Sequence, residues 1–244
     1  LVNNEPVSGS RNLDSARWHL TEEITTALRR RWPAEIHAVG VHGSLAHGDD
    51  EDGSDVDLVV VTFRAGVGPR PGVRRIDGTI VDLGVIGAEE YLKYARTLST
   101  SWPLAADQYL TTKALYDPDG WHSRLRDAHL GRLAEAGSAE FATLARDAWC
   151  QAEATYAKAL RLAEWHDTAG ALFTFGAARL AAALVEGLLT RTYFRDSADA
   201  VRRTGLGDAD LTELGRRLRT QADDLARRGR PVDGTIGDLL GAAK

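Results

Sequence analysis

GVHGSLAHGDDEDGSDVDLVVVT, residues 40–62, joins two apolar runs through a loop of Gly, Asp and Ser. The second run opens with two acids, Asp55 and Asp57, ahead of Leu58 to Val61. Side chains alternate along a strand, so Asp55 and Asp57 share one face while Val56 and Leu58 take the other. Two carboxylates this close raise each other's pKa unless a cation lies between them. A hard divalent ion held by oxygen ligands, Mg²⁺ above all, is the natural compensation. The loop in front suits the same chemistry. Gly43 lets backbone approach a phosphate, and Ser44 offers a hydroxyl and an N–H at the start of a helical turn.

Working outward, residues 14–31 carry Leu20, Ile24, Ala27 and Leu28 at helical spacing, with Asp14 or Ser15 as candidate caps. Trp32-Pro33 ends that helix, and residues 36–42 form a strand. The second strand covers 56–63, and the Gly/Pro cluster AGVGPRPG after it must be a loop. Then RRI-DG-TIVDLGVI is a hairpin, because Asp77-Gly78 suits a type I′ turn. Its second arm, 79–86, places Asp82 in an apolar setting, where a neighbouring strand in the same sheet could bring it beside Asp55 and Asp57. Three carboxylates can hold two metal ions, which clamp the attacking and leaving oxygens of a phosphoryl transfer. Residues 88–99 are helical, Trp102-Pro103 interrupts, and KALYDPDG adds a short strand and a turn.

From about residue 121 onward strand signals vanish. Residues 138–165, 169–194 and 208–229 show helical periodicity, with GLGD at 205–208 dividing the last two. The expectation is an α+β chain: a mixed β-sheet with flanking helices over 1–120, then a helical bundle over 121–244.

The net charge of −5 disfavours nucleic acid as a partner, since phosphate backbones need a basic face. It suits a cationic ligand. A single cysteine, Cys150, excludes an internal disulfide and fits a reducing cytoplasm. The N-terminal residues show no apolar signal-peptide core. The apolar stretch 171–189 is broken by Arg179 and Glu186, so it is expected to be a buried helix and no membrane partner is expected.

An apolar residue, Gly-Ser, ten intervening residues, Asp-x-Asp and a later acid resemble the signature of the nucleotidyltransferase fold family. The segments AVGVHGSLAHGDDEDGSDVDLVVVT, VDLGVIGAEEYLKYA and SWPLAADQYLTTKALYD look more closely like the aminoglycoside 4′-nucleotidyltransferases that act on kanamycin. That resemblance is good over 36–118 and weaker over 147–195. It implies a nucleotidyltransferase-type sheet, ATP as co-substrate, Mg²⁺, and attack of an aminoglycoside hydroxyl, the 4′ position in that family, on the α-phosphate. It also implies antibiotic resistance as the role, and a homodimer whose helical half completes the active site.

Carried over by residue, the resemblance implies Asp55, Asp57 and Asp82 as metal ligands, although the family has Glu at the last two positions. Gly43, Ser44 and Ser54 match the phosphate-contacting loop. His47 stands where the family has Arg. Lys158 aligns with a phosphate-binding Lys. The same register puts Ala154 at the general base, with Glu153 adjacent as the candidate and Asp147, two turns earlier, as the fallback.

Other readings stay open. The acceptor could be a lincosamide or another hydroxylated small molecule. Arg161 and His166 fit the Arg-x4–6-His spacing of helical ribonucleases paired with minimal nucleotidyltransferases in toxin–antitoxin systems. A non-catalytic nucleotide-binding module is the third. Asp49, Asp50, Glu51 and Asp52 form a run that could attract a polycation or simply be a solvated loop.

Overall fold

A computed structural model describes residues 16–51 and 53–241; the cap candidates Asp14 and Ser15, and Asp52, lie outside them. Helix α1 (Ala16–Arg31) leads to β1 (Ile36–His42), the single-turn helix α2 (Gly43–His47) and β2 (Val56–Thr62). β3 (Gly72–Ile76) and β4 (Thr79–Gly87) form the expected hairpin, with φ of 48° at Asp77 and 86° at Gly78, both positive as a type I′ turn requires.

The five strands, with β5 (Lys113–Tyr116), form one mixed sheet in the order β3-β4-β2-β1-β5. β2 and β4 are parallel and every other pair is antiparallel. The cause is β3. The chain reverses once into β3 and again at Asp77-Gly78, so β4 returns alongside β2 running the same way. The starts of β2 and β4 therefore lie side by side.

Both sheet faces are covered. Val56 and Leu58 pack with Trp18, Leu20, Val41, Leu45 and Val81. On the opposite face Val59 and Val61 pack with Ala38, Tyr91, Leu92, Trp121 and Leu125. β2 is thus an apolar strand buried on both sides, as a parallel-paired central strand must be, with a carboxylate only at its start.

Helices α3 (Ala88–Ala95), α4 (Trp102–Thr111) and α5 (Trp121–Glu135) follow. The periodicity over 88–99 predicts one helix with a break at Trp102-Pro103, whereas α3 stops at Ala95 and Trp102-Pro103 opens α4. Proline is well tolerated in a first turn, where its missing N–H has no partner to lose. At the start of α5, Asp117 accepts from the backbone N–H groups of Trp121 (2.6 Å) and His122 (3.0 Å), and Trp121 stacks on Tyr91 with ring centres 5.5 Å apart.

The chain forms two compact units. One comprises residues up to Thr97 with Gln108–Arg132, the other Leu98–Asp107 with the segment from Leu133 onward. The boundary expected at 120 falls inside the first unit, because Trp121 and Leu125 of α5 belong to its core.

The second unit contains α6 (Ser138–Glu164), α7 (Thr168–Thr190), α8 (Ser197–Arg203), α9 (Leu211–Arg227) and α10 (Ile236–Leu240). Helix α7 ends at Thr190, not 194, with Arg191 left-handed at φ 53°, and the separate helix α8 was not anticipated. By length and composition α7 could cross a membrane, but 44% of its apolar window is buried inside the protein. Its two charges are both engaged within the unit. Arg179 donates to the Ala209 carbonyl, and Glu186 Oε2 accepts from Gln221 at 3.4 Å.

Candidate active site

In the parallel register of β2 and β4, Asp57 lies directly beside Asp82. Paired residues on adjacent strands share a face, so these two carboxylates sit at one end of the sheet, on the face that turns apolar two residues later at Val59. Asp55 lies one residue before β2 and is exposed, as is Asp82, whereas Asp57 is half-buried. Asp57 is pushed up to about 6 from 3.8, first by burial, then by the charges of Asp55 and Asp82. The ladder thus brings Asp57 and Asp82 together, and Asp55 acts on Asp57 through its charge. Among the described residues no three His, Cys, Asp or Glu side chains gather closely enough to hold a metal ion by themselves.

Gly43 has a role the sequence did not disclose. Its φ is 70°, and a Cβ there would press into Oδ2 of Asp57. The missing side chain makes room for the carboxylate and permits the left-handed backbone. Asp57 thus rests against the turn that opens α2. The Ser44 carbonyl accepts from the N–H groups of Gly48 (2.9 Å) and Asp49 (3.3 Å), which closes this short helix. His47 is half-buried in its last turn.

Ser54 Oγ accepts from the Glu51 N–H at 2.9 Å, and the Ser54 N–H donates to the Glu51 carbonyl at 2.9 Å. The Ser54 oxygen is thus engaged within the loop, while its O–H still has a proton to donate. Two residues escaped the sequence reading. His42 faces Asp57 across the antiparallel β1–β2 ladder, a pairing that only the register fixes. Arg17 holds the acidic loop from α1, with Nη1 3.3 Å from Asp50. Asp50 is therefore an ion-paired anchor, while Asp49 and Glu51 are exposed.

Glu153, Lys158 and Asp147 all lie on α6 in the second unit. Asp147, Gln151, Ala154, Lys158 and Arg161 are exposed and recur every three or four residues, so they form one stripe. Glu153 is half-buried and lies off that stripe. It falls between Trp149, whose Nε1 donates to the Leu218 carbonyl at 2.8 Å, and Tyr156, whose hydroxyl fills the space beside Gly215. Leu218 and Gly215 belong to α9, so Glu153 is on the α9 side of its helix. Asp147 and Lys158 are eleven residues apart, almost in line and about 16 Å along an ideal helix. Arg161 sits on the same stripe, and His166 follows the helix end with φ 60°.

The mixed sheet thus carries a Gly-Ser turn after β1 and carboxylates at the starts of β2 and β4. Residues 21–98, from α1 to just past α3, match the family described as nucleotidyltransferase domain. Among solved structures, the chain is similar to a nucleotidyltransferase-like protein from Exiguobacterium sibiricum 255-15, with 12% identity and a TM-score of 0.45, covering 85% of this chain and 75% of that one. No curated protein matches the chain.

Proposed function

We propose that the chain transfers AMP from ATP to a hydroxyl of an aminoglycoside, the 4′ position by resemblance. The observation that carries the reading is Asp57 paired with Asp82, near Asp55 and seated against the Gly43 turn. Grouped acids whose neighbours push one pKa upward are a reasoned candidate for a functional site.

Hard oxygen donors of this kind fit Mg²⁺, which keeps waters and takes substrate phosphates when protein ligands are few. Asp55, Asp57 and Asp82 would hold it, and when bound it supplies charge neutralisation at the phosphates. The Gly43-Ser44 turn and Ser54 receive the phosphate groups, with His47 beside them. The acceptor oxygen attacks the α-phosphorus in line. Its proton passes to a base, the bond from the α-phosphorus to the bridging oxygen breaks, and pyrophosphate leaves. The resemblance gives Glu153 the role of base, Lys158 that of phosphate contact, and a homodimer as the working form.

The net charge of −5 and the exposed Asp49, Glu51, Asp55 and Asp82 suit a polycationic acceptor. The test is to incubate the chain with ATP, Mg²⁺ and a panel of aminoglycosides and lincosamides, and to weigh the products. AMP adducts of aminoglycosides that vanish with Asp55→Ala are the expected result. Adducts of lincosamides alone would reassign the acceptor, and none at all would refute the proposal.

A further inference from the structure

Arg17 grips the loop between the Gly-Ser turn and the first acid at two points. Its Nε donates to the Ser54 carbonyl at 3.2 Å, and its Nη1 to Asp50 Oδ2 at 3.3 Å. The Arg17 and Asp50 side chains are only 17% and 12% exposed, so water competes weakly for this pair. A guanidinium can make both bonds at once because its donors form a rigid fork, which a lysine lacks. The far end of the grip is fixed as well. The next residue, Trp18, is part of the core under β1 and β2 with Val41, Leu45, Val56 and Leu58.

Ser54 directly precedes Asp55. Asp55 lies outside the β2 ladder and is exposed, so neither strand pairing nor packing fixes its backbone. Its charge acts on Asp57, two residues on. What restrains it is the loop, closed by the two Glu51–Ser54 bonds and held to α1 by Arg17.

We propose that Arg17 is a positioning residue: by holding the Ser54 carbonyl it sets the spacing of Asp55 from Asp57, and with it the affinity for a divalent ion. The proposal rests on the nucleotide-transfer reading for the purpose of that ion. It assigns Arg17 no contact with substrate.

The experiment uses the full chain and the variants Arg17→Met, Arg17→Lys and Asp50→Asn. Two readouts are taken, Mn²⁺ affinity by titration and hydrogen exchange at the Glu51 and Ser54 amides. Arg17→Met should weaken Mn²⁺ by about tenfold or more, the usual scale for a residue that orients a metal ligand. It should also speed exchange at both amides while Val59 and Val60 stay protected. Asp50→Asn keeps the Ser54 contact, so its Mn²⁺ affinity should fall less than about threefold, with Arg17→Lys in between. Unchanged Mn²⁺ affinity in Arg17→Met would overturn the proposal, as would an Asp50→Asn loss equal to that of Arg17→Met. A wild-type chain that binds no Mn²⁺ would overturn it together with the metal assignment. A wild-type chain that binds Mn²⁺ yet modifies no aminoglycoside would refute only the proposed function.

Discussion

Asp57→Asn should stabilise the protein at neutral and higher pH while abolishing nucleotide transfer. Asn keeps the shape of the side chain and removes its charge. Asp57 is raised from 3.8 to about 6 in the folded chain, so between those values the native state binds more protons than the unfolded one. Stability contributed by this group is therefore lost as pH climbs from 3.8 to about 6, and the full penalty applies above that. Two units at roughly 1.4 kcal/mol each set a ceiling of about 3 kcal/mol. Asp57 is only half-buried and solvent screens its neighbours, which brings the expected gain in the variant to about 1 kcal/mol. For a unit of this size that is on the order of 5 °C in Tm. Thermal melts of both proteins at pH 8 and near pH 4 test it. The variant should melt higher at pH 8 and equal the wild type near pH 4. ATP with Mg²⁺ should raise the wild-type Tm and leave the variant nearly unmoved, because only a site that binds ligand gains stability from it. A variant less stable at pH 8, or a difference independent of pH, would refute the account of Asp57 as a carboxylate strained by burial and by its neighbours.

Gly43→Ala should cost about 1–3 kcal/mol and nearly all activity, because the new methyl meets the Asp57 carboxylate and φ is positive. Gly48→Ala, also at positive φ but with nothing within 4 Å, isolates the backbone part in the same denaturation series and should keep most activity. Glu153→Gln should lower kcat by at least about two orders of magnitude with little change in ATP binding. If Asp147→Asn does so instead, the base lies on the exposed stripe that carries Lys158. Lys158→Ala should raise the KM for ATP more than that for the acceptor, measured by varying each substrate in turn, since its proposed partner is phosphate. Mixing inactive Asp55→Ala with inactive Glu153→Gln should restore activity if sites are shared between subunits. Absence of recovery after proven subunit exchange would place both residues in one chain's site.

The local elements were legible because their signals are local. Asp77-Gly78 demanded a type I′ turn, and the run after Asp57 demanded a buried strand. Gly43-Ser44 followed by Asp55 and Asp57 raised the expectation of phosphate and cation chemistry, and residues 21–98 match the nucleotidyltransferase domain family. The ends of helices were less legible: α7 stops at Arg191 through a left-handed residue that no glycine marks.

What required the tertiary structure is everything set by register and packing across distance. The sequence offered Asp82 as a companion to Asp57, but the pairing exists because β3 reverses the chain and lets β4 run parallel to β2. The sequence offers Gly43 as room for phosphate, and the fold adds that its missing side chain makes room for Asp57. Arg17 and His42 carried no signal, since one acts 37 residues away in sequence and the other through a ladder register. On α6 the sequence names Glu153, Asp147 and Lys158, but only packing against α9 separates the half-buried Glu153 from the exposed stripe. Sequence fixes which chemical groups are available. Their neighbours depend on chain reversals and side-chain contacts, which form only when distant segments close together.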